Sequence, residues 1–164
     1  MGFGKLHRTA GTIYNAFGPF GFQSLDENHL ELAFDNADKI RGLSVHEFGH
    51  SFVNPAIDKV PAELIKETEH LYTPIKAQMT GQSYPSWTIC LYEHFVRAGE
   101  VLIAGKLGHA DEAQRILRDN LNKGFIYLPV IVTELERFDR DADEKRRYDE
   151  FVPSVIEKMK RIAP

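Results

Sequence analysis

A chain of 164 residues, 43% of them hydrophobic and 27% charged, has enough apolar material for one compact globular domain spanning 1–164 and excludes disorder over most of its length. Its formal charge of −4 lacks the basic footprint that nucleic acid or an anionic membrane surface attracts. The single cysteine, Cys90, excludes an intrachain disulfide and a cysteine zinc knuckle, so any metal must be held by His, Asp or Glu.

In chain order, "MGFGKLHRTAG" lacks the apolar centre of a signal peptide, and no apolar run approaches the roughly 18 residues needed to cross a bilayer. The chain as it stands is expected to be soluble. "TIYNAF", Thr12 to Phe17, is rich in β-branched and aromatic residues and predicts a strand. "AFGPFGF", Ala16 to Phe22, breaks with glycine and proline between aromatic rings and predicts a loop; it lacks the lysine and spacing of a phosphate-binding loop. "HLELAF", His29 to Phe34, puts Leu30, Leu32 and Phe34 on one face and is the strongest strand candidate, with "TIYNAF" as its neighbour.

From about Lys39 the apolar period becomes helical. Beyond Pro61, Leu64, Ile65, Thr68, Leu71, Tyr72, Ile75 and Met79 follow helical spacing, with Pro61 in the first turn and Pro74 expected to kink or interrupt the helix. The segment from Ser86 to about Lys106 is apolar nearly all round and predicts a helix buried on most sides. Three more helices are expected: Asp111 as N-cap to Gly124 as stop, about Tyr127 to Phe138, and about Glu144 to Arg161 after the mixed-charge turn "DRDADEKRR". The fold class is α+β, a small N-terminal sheet followed by a mainly helical body.

The chemistry lies in "SVHEFGHSFVNP", Ser44 to Pro55. On a helix, positions i and i+4 share a face, their β-carbons about 6 Å apart, so His46 and His50 can aim imidazole nitrogens at one ion. Glu47 sits about 100° around from His46, placed to reach a water on the ion as a general base without becoming a ligand. Val45, Phe48 and Phe52 are expected to fasten this helix to the core. Gly49 costs the helix about 1 kcal/mol against alanine. The bland alternative is a helix start: Ser44 and Glu47 form Ser-x-x-Glu, a capping box that would consume the glutamate.

Two histidines are too few for a catalytic zinc site, which takes three protein ligands and one open position. The metzincin extension is absent, because Val53 and Ala56 occupy the places of its Gly and third His. Glu63, Glu67, Glu69 and His70 fall mostly on the wet side of an amphipathic helix. Glu93 and His94 interrupt the apolar helix instead, where a polar group must find a partner. Either can complete the site. The competing roles are an i, i+4 ion pair with Arg97 for Glu93, and a core histidine bonded to a carbonyl for His94.

"HEFGHSFVNP" and "YEHFVRA", with "GPFGF" upstream, resemble the bacterial DUF4932 family, which is similar to gluzincin metallopeptidases. The resemblance runs from the Tyr14 region to near the C-terminus, and only those short motifs are specific. It implies a zincin-like fold, one Zn²⁺ per chain held by His46, His50 and Glu93, Glu47 as general base, Arg97 in support, and hydrolysis of a peptide or protein substrate. Members typically begin with a signal sequence and further strands that this sequence lacks, so its compartment stays open: extracytoplasmic or secreted from a bacterium if such a leader precedes these residues. Tyr84, Tyr92, Tyr127, His94 and Arg97 are all eligible to stabilise an oxyanion. A substrate strand could add to the edge of "HLELAF". The alternatives are a catalytically inactive zinc-binding or scaffold domain, and a helical domain whose histidines have no metal role. Oligomeric state is not legible.

Overall fold

The computed structural model describes residues 5–9, 12–16, 37–140 and 147–163. The chain falls into two compact units, residues 1–51 and 52–164. In the first, β1 (Lys5–Thr9) and β2 (Thr12–Ala16) pair antiparallel, with Lys5 opposite Ala16 and Thr9 opposite Thr12. The strand expected at "TIYNAF" is therefore β2. Its described partner is β1, a segment without a marked strand pattern. "HLELAF", most of "AFGPFGF" and residues 141–146 of the mixed-charge run lie outside the described residues.

Helix α1 (Ala37–Asp58) contains the unit boundary. Asp38 in its first turn suits the positive end of the helix dipole and pairs with Arg41 at 3.1 Å. Its core-facing stripe is Val53, Ala56, Ile57 and then Val60, all buried at the i, i+3, i+4, i+7 spacing of an amphipathic helix. The expectation for Phe48 and Phe52 is overturned: they are 36% and 62% exposed. Both lie about 200° around the helix from His46 and His50 respectively, on the face that solvent takes.

Beyond the end of α1, the second unit's described elements are helices joined by turns: α2 (Ala62–Glu67), α3 (Lys76–Gly81), α4 (Trp87–Lys106), α5 (Ala110–Asn122), α6 (Leu128–Arg140) and α7 (Tyr148–Met159). Pro61 precedes α2 as its N-cap residue. The helix expected to continue to Pro74 ends earlier, at Glu67, and passes through two 3-10 turns, Glu69–Leu71 and Thr73–Ile75. Thr68 explains the early break. Its hydroxyl donates to the carbonyls of Ile65 (2.9 Å) and Leu64 (3.2 Å) and accepts the buried indole N–H of Trp87 (2.9 Å). A side chain bonded to its own preceding turn competes with helix continuation, and Pro74 then has no N–H with which to restart it.

Helix α4 is the axis of this unit and packs against α5 and α6, while α7 lies on α2 and α6. Leu91, Phe95, Val96 and Ala98 are buried on it, as the all-round apolar pattern requires; each large side chain among them contributes about 1.5–3 kcal/mol by leaving water. The polar tip of buried Tyr127 is satisfied, its Oη donating to the Leu71 carbonyl at 2.6 Å. Helix α5 starts one residue before Asp111, with His109 as its N-cap residue and Asp111 and Glu112 in the first turn. The acids favour that end through the dipole rather than by capping. Gly124 stops it as expected: at φ +92° it is left-handed, and a Cβ there would meet Gln78 Oε1 at 2.5 Å.

Candidate metal centre

Because α1 begins at Ala37, Ser44 stands in the helix interior and Ser-x-x-Glu is not at a helix start. The capping-box reading of Glu47 falls. The motif is helical throughout, so His46 and His50 share one face, both half-buried. Their Nε2 atoms lie 3.3 Å apart, with rings edge-on at 86°. Two ligands on a tetrahedral ion with bonds of about 2.0–2.1 Å are themselves about 3.3 Å apart. The pair has the spacing of two ligands of one ion.

Glu93 is placed by α4. Ser86 caps that helix, its Oγ accepting the N–H of Ile89 at 3.3 Å, and the apolar flanks bury the middle turns. Glu93 is 8% exposed. Its Oε2 accepts Arg97 Nη2 at 3.0 Å, so the expected i, i+4 ion pair exists. That pair leaves a ligand role intact, because a carboxylate has two oxygens and several lone pairs. Two imidazoles and a carboxylate form a donor set that suits zinc with an open fourth position.

His94 is built into the core of the second unit. It is fully buried, its ring set among Phe125 (4.9 Å between centroids), Tyr127 (5.8 Å) and Trp87 (6.2 Å). Nδ1 lies 2.7 Å from the Cys90 carbonyl; a carbonyl only accepts, so the proton is on Nδ1. Burial pushes its pKa down to about 4, and Nε2 has no partner among the described residues. This is the core histidine of the competing reading. Burial likewise pushes the Cys90 thiol up to about 12, leaving it without thiolate chemistry.

The candidate oxyanion donors separate. Tyr92 donates to Asp58, and Tyr127 to Leu71. Arg97 and Tyr84 gather at Glu93 instead: Arg97 Nη2 reaches Tyr84 Oη at 3.3 Å and Nη1 reaches Asn120 Oδ1 at 3.0 Å. Burial, and then the Glu93 carboxylate, raise the Tyr84 pKa. Glu63, Glu67 and Glu69 are exposed, as expected. Asn120 escaped the sequence reading. Its signal was present, since it follows Ala113, Ile116 and Leu117 on the apolar stripe of α5 and is itself 4% exposed.

Fold and site define a mainly helical protein whose motif helix carries two histidines at the spacing of two ligands of one ion. The chain belongs to the DUF4932 family, a domain of unknown function, whose model matches residues 22–158. No curated protein and no solved structure matches it. Among the described residues no helix is long and apolar enough to cross a membrane.

Proposed function

We propose that this protein is a zinc-dependent hydrolase of peptide bonds with a gluzincin-like, zincin-type α+β fold, His46, His50 and Glu93 holding one Zn²⁺ and Glu47 acting as general base. The observation that carries the reading is the His46–His50 pair, whose Nε2 atoms lie 3.3 Å apart on one face of α1. When bound, zinc supplies a Lewis acid that brings the pKa of water toward about 7 and polarises a carbonyl.

The chain's own residues do the rest. His46 and His50 present Nε2 lone pairs, which requires their ring protons on Nδ1. Glu93 brings a negative charge that Arg97 steadies. Glu47, about 100° around the helix from His46, takes a proton from the attacking water onto its carboxylate and returns it to the leaving amine. Proton transfer of this kind contributes typically about 10²- to 10⁴-fold.

A second reading, a zinc-binding domain without turnover, draws support from the donors. Tyr92, Tyr127 and His94 are engaged elsewhere, and Arg97 and Tyr84 attend the ligand. Turnover of a mixed peptide library by the zinc-loaded protein, with Glu47→Gln as control, separates the two. Cleavage lost in the variant supports the hydrolase. Metal binding with no cleavage by the wild type selects the second reading.

A further inference from the structure

We infer that Asn120 and Tyr84 are positioning residues for the metal site, clamping Arg97 so that its guanidinium fixes the Glu93 carboxylate as third ligand. The inference rests on the metal-binding part of the proposed function and extends it to two residues remote in sequence from the motif.

An arginine beside a carboxylate is ordinarily a flexible partner. Arg97 is held on three sides. Nη1 donates to Asn120 Oδ1 at 3.0 Å, Nη2 donates both to Glu93 Oε2 at 3.0 Å and to Tyr84 Oη at 3.3 Å, and the guanidinium carbon stands 4.5 Å from the centre of the Phe125 ring. Nε has no partner among the described residues, so the two terminal nitrogens carry the whole polar grip.

Each holder is fixed in turn. Asn120 Nδ2 donates to the Ile116 carbonyl at 2.8 Å. That bond admits only the amide N–H₂, so the oxygen must face Arg97 and cannot be exchanged by an amide flip. Asn120 is 4% exposed, and its backbone carbonyl accepts from Lys123 and Phe125 in the turn that closes α5. Tyr84 follows Ser83, a non-glycine residue at φ +72°, a left-handed conformation that costs free energy and persists where the surroundings impose it. The Tyr84 carbonyl accepts from Tyr72 Oη at 2.9 Å, its N–H reaches the Met79 carbonyl at 2.9 Å, and its ring meets Phe125 edge-on at 5.8 Å. A hydroxyl so constrained, accepting from the cation that grips the ligand, orients the carboxylate. Partners beyond the direct ligands fix ligand orientation, and their loss typically weakens metal binding by about 10- to 100-fold.

The test titrates Co²⁺ alone into the metal-free full chain and follows its visible d–d bands, which report ligand geometry at saturation independently of activity. Asn120→Leu should bind about tenfold or more weakly, with shifted bands. Asn120→Asp, which keeps an acceptor for Nη1, should stay closer to wild type. Tyr84→Phe retains the ring and removes only the hydroxyl; it should also weaken binding and perturb the bands, and it decides the matter if Asn120→Leu does not fold. Wild-type affinity and bands in Tyr84→Phe and in folded Asn120→Leu overturn the clamp while leaving the metal site standing. Absence of Co²⁺ uptake by the wild type overturns the metal reading and the clamp together.

Discussion

Replacing Arg97 by methionine removes the guanidinium while keeping an apolar stem against Phe125, and the structure sets the size of the effect. The Arg97 and Glu93 side chains are 15% and 10% exposed and meet at 3.0 Å. An exposed i, i+4 pair is worth about 0.3–0.5 kcal/mol. Removing one partner of a buried pair costs about 3–5 kcal/mol instead, since the remaining charge loses its compensation in a medium that solvates it poorly. The Asn120 amide oxygen, buried and deprived of its donor, adds a penalty of about 1–3 kcal/mol that overlaps the first. A total near 4 kcal/mol is a large share of the 5–15 kcal/mol typical of a folded domain. With a urea m-value of about 1–3 kcal/mol/M, it moves the midpoint by about 2 M. Urea unfolding of both proteins in chelator, followed by far-UV circular dichroism, measures the effect without metal. A loss below about 1 kcal/mol at unchanged m would mean that the pair behaves like a surface one and would refute the reasoning.

Other substitutions probe separate parts of the account. Glu47→Gln should retain zinc by calorimetry while hydrolysis falls at least 10²- to 10⁴-fold, about 3–5 kcal/mol in barrier; loss of metal would make Glu47 a ligand, and undiminished turnover would remove it from the chemistry. Glu93→Gln should weaken zinc binding sharply, whereas His94→Gln should stay within about tenfold of wild type and show its cost in stability; competition against a chromophoric chelator distinguishes them, and the reverse pattern would move the ligand to His94. Phe95→Ala should cost about 3–5 kcal/mol in chemical denaturation, and Phe52→Ala, at an exposed position, about 0.5 kcal/mol or less. Equal losses would return Phe52 to the core.

What the sequence made legible follows from local pattern. The all-round apolar run from Trp87 to Lys106 could only be a helix buried on most sides, and Glu93 stood out within it because a charge there must be partnered. The i, i+4 histidines needed only helical geometry to converge. In the sequence Thr68 is one more member of an apolar stripe, although its hydroxyl has two nearby carbonyls and an indole N–H to satisfy. That competition ends α2 before Pro74 can act. Phe48 and Phe52 are apolar and recur at helical spacing, which predicts an inward face, but the buried stripe of α1 is Val53, Ala56 and Ile57 and both rings are exposed. Whether Glu93 served Arg97 or a metal could not be decided from spacing, because one carboxylate has oxygens for both. Asn120 was missed because the partner that gives it meaning lies 23 residues earlier in the chain.

The central claim is that His46, His50 and Glu93 hold one zinc ion, and diffraction from crystals of the purified protein at energies on either side of the zinc absorption edge tests it most directly. The account predicts a single anomalous peak per chain within bonding distance of Nε2 of both histidines and of a Glu93 oxygen, lost in a His46→Ala, His50→Ala double variant that no longer takes up zinc. A zinc-replete crystal with no peak there, or stoichiometric zinc binding undiminished in the double variant, would contradict it.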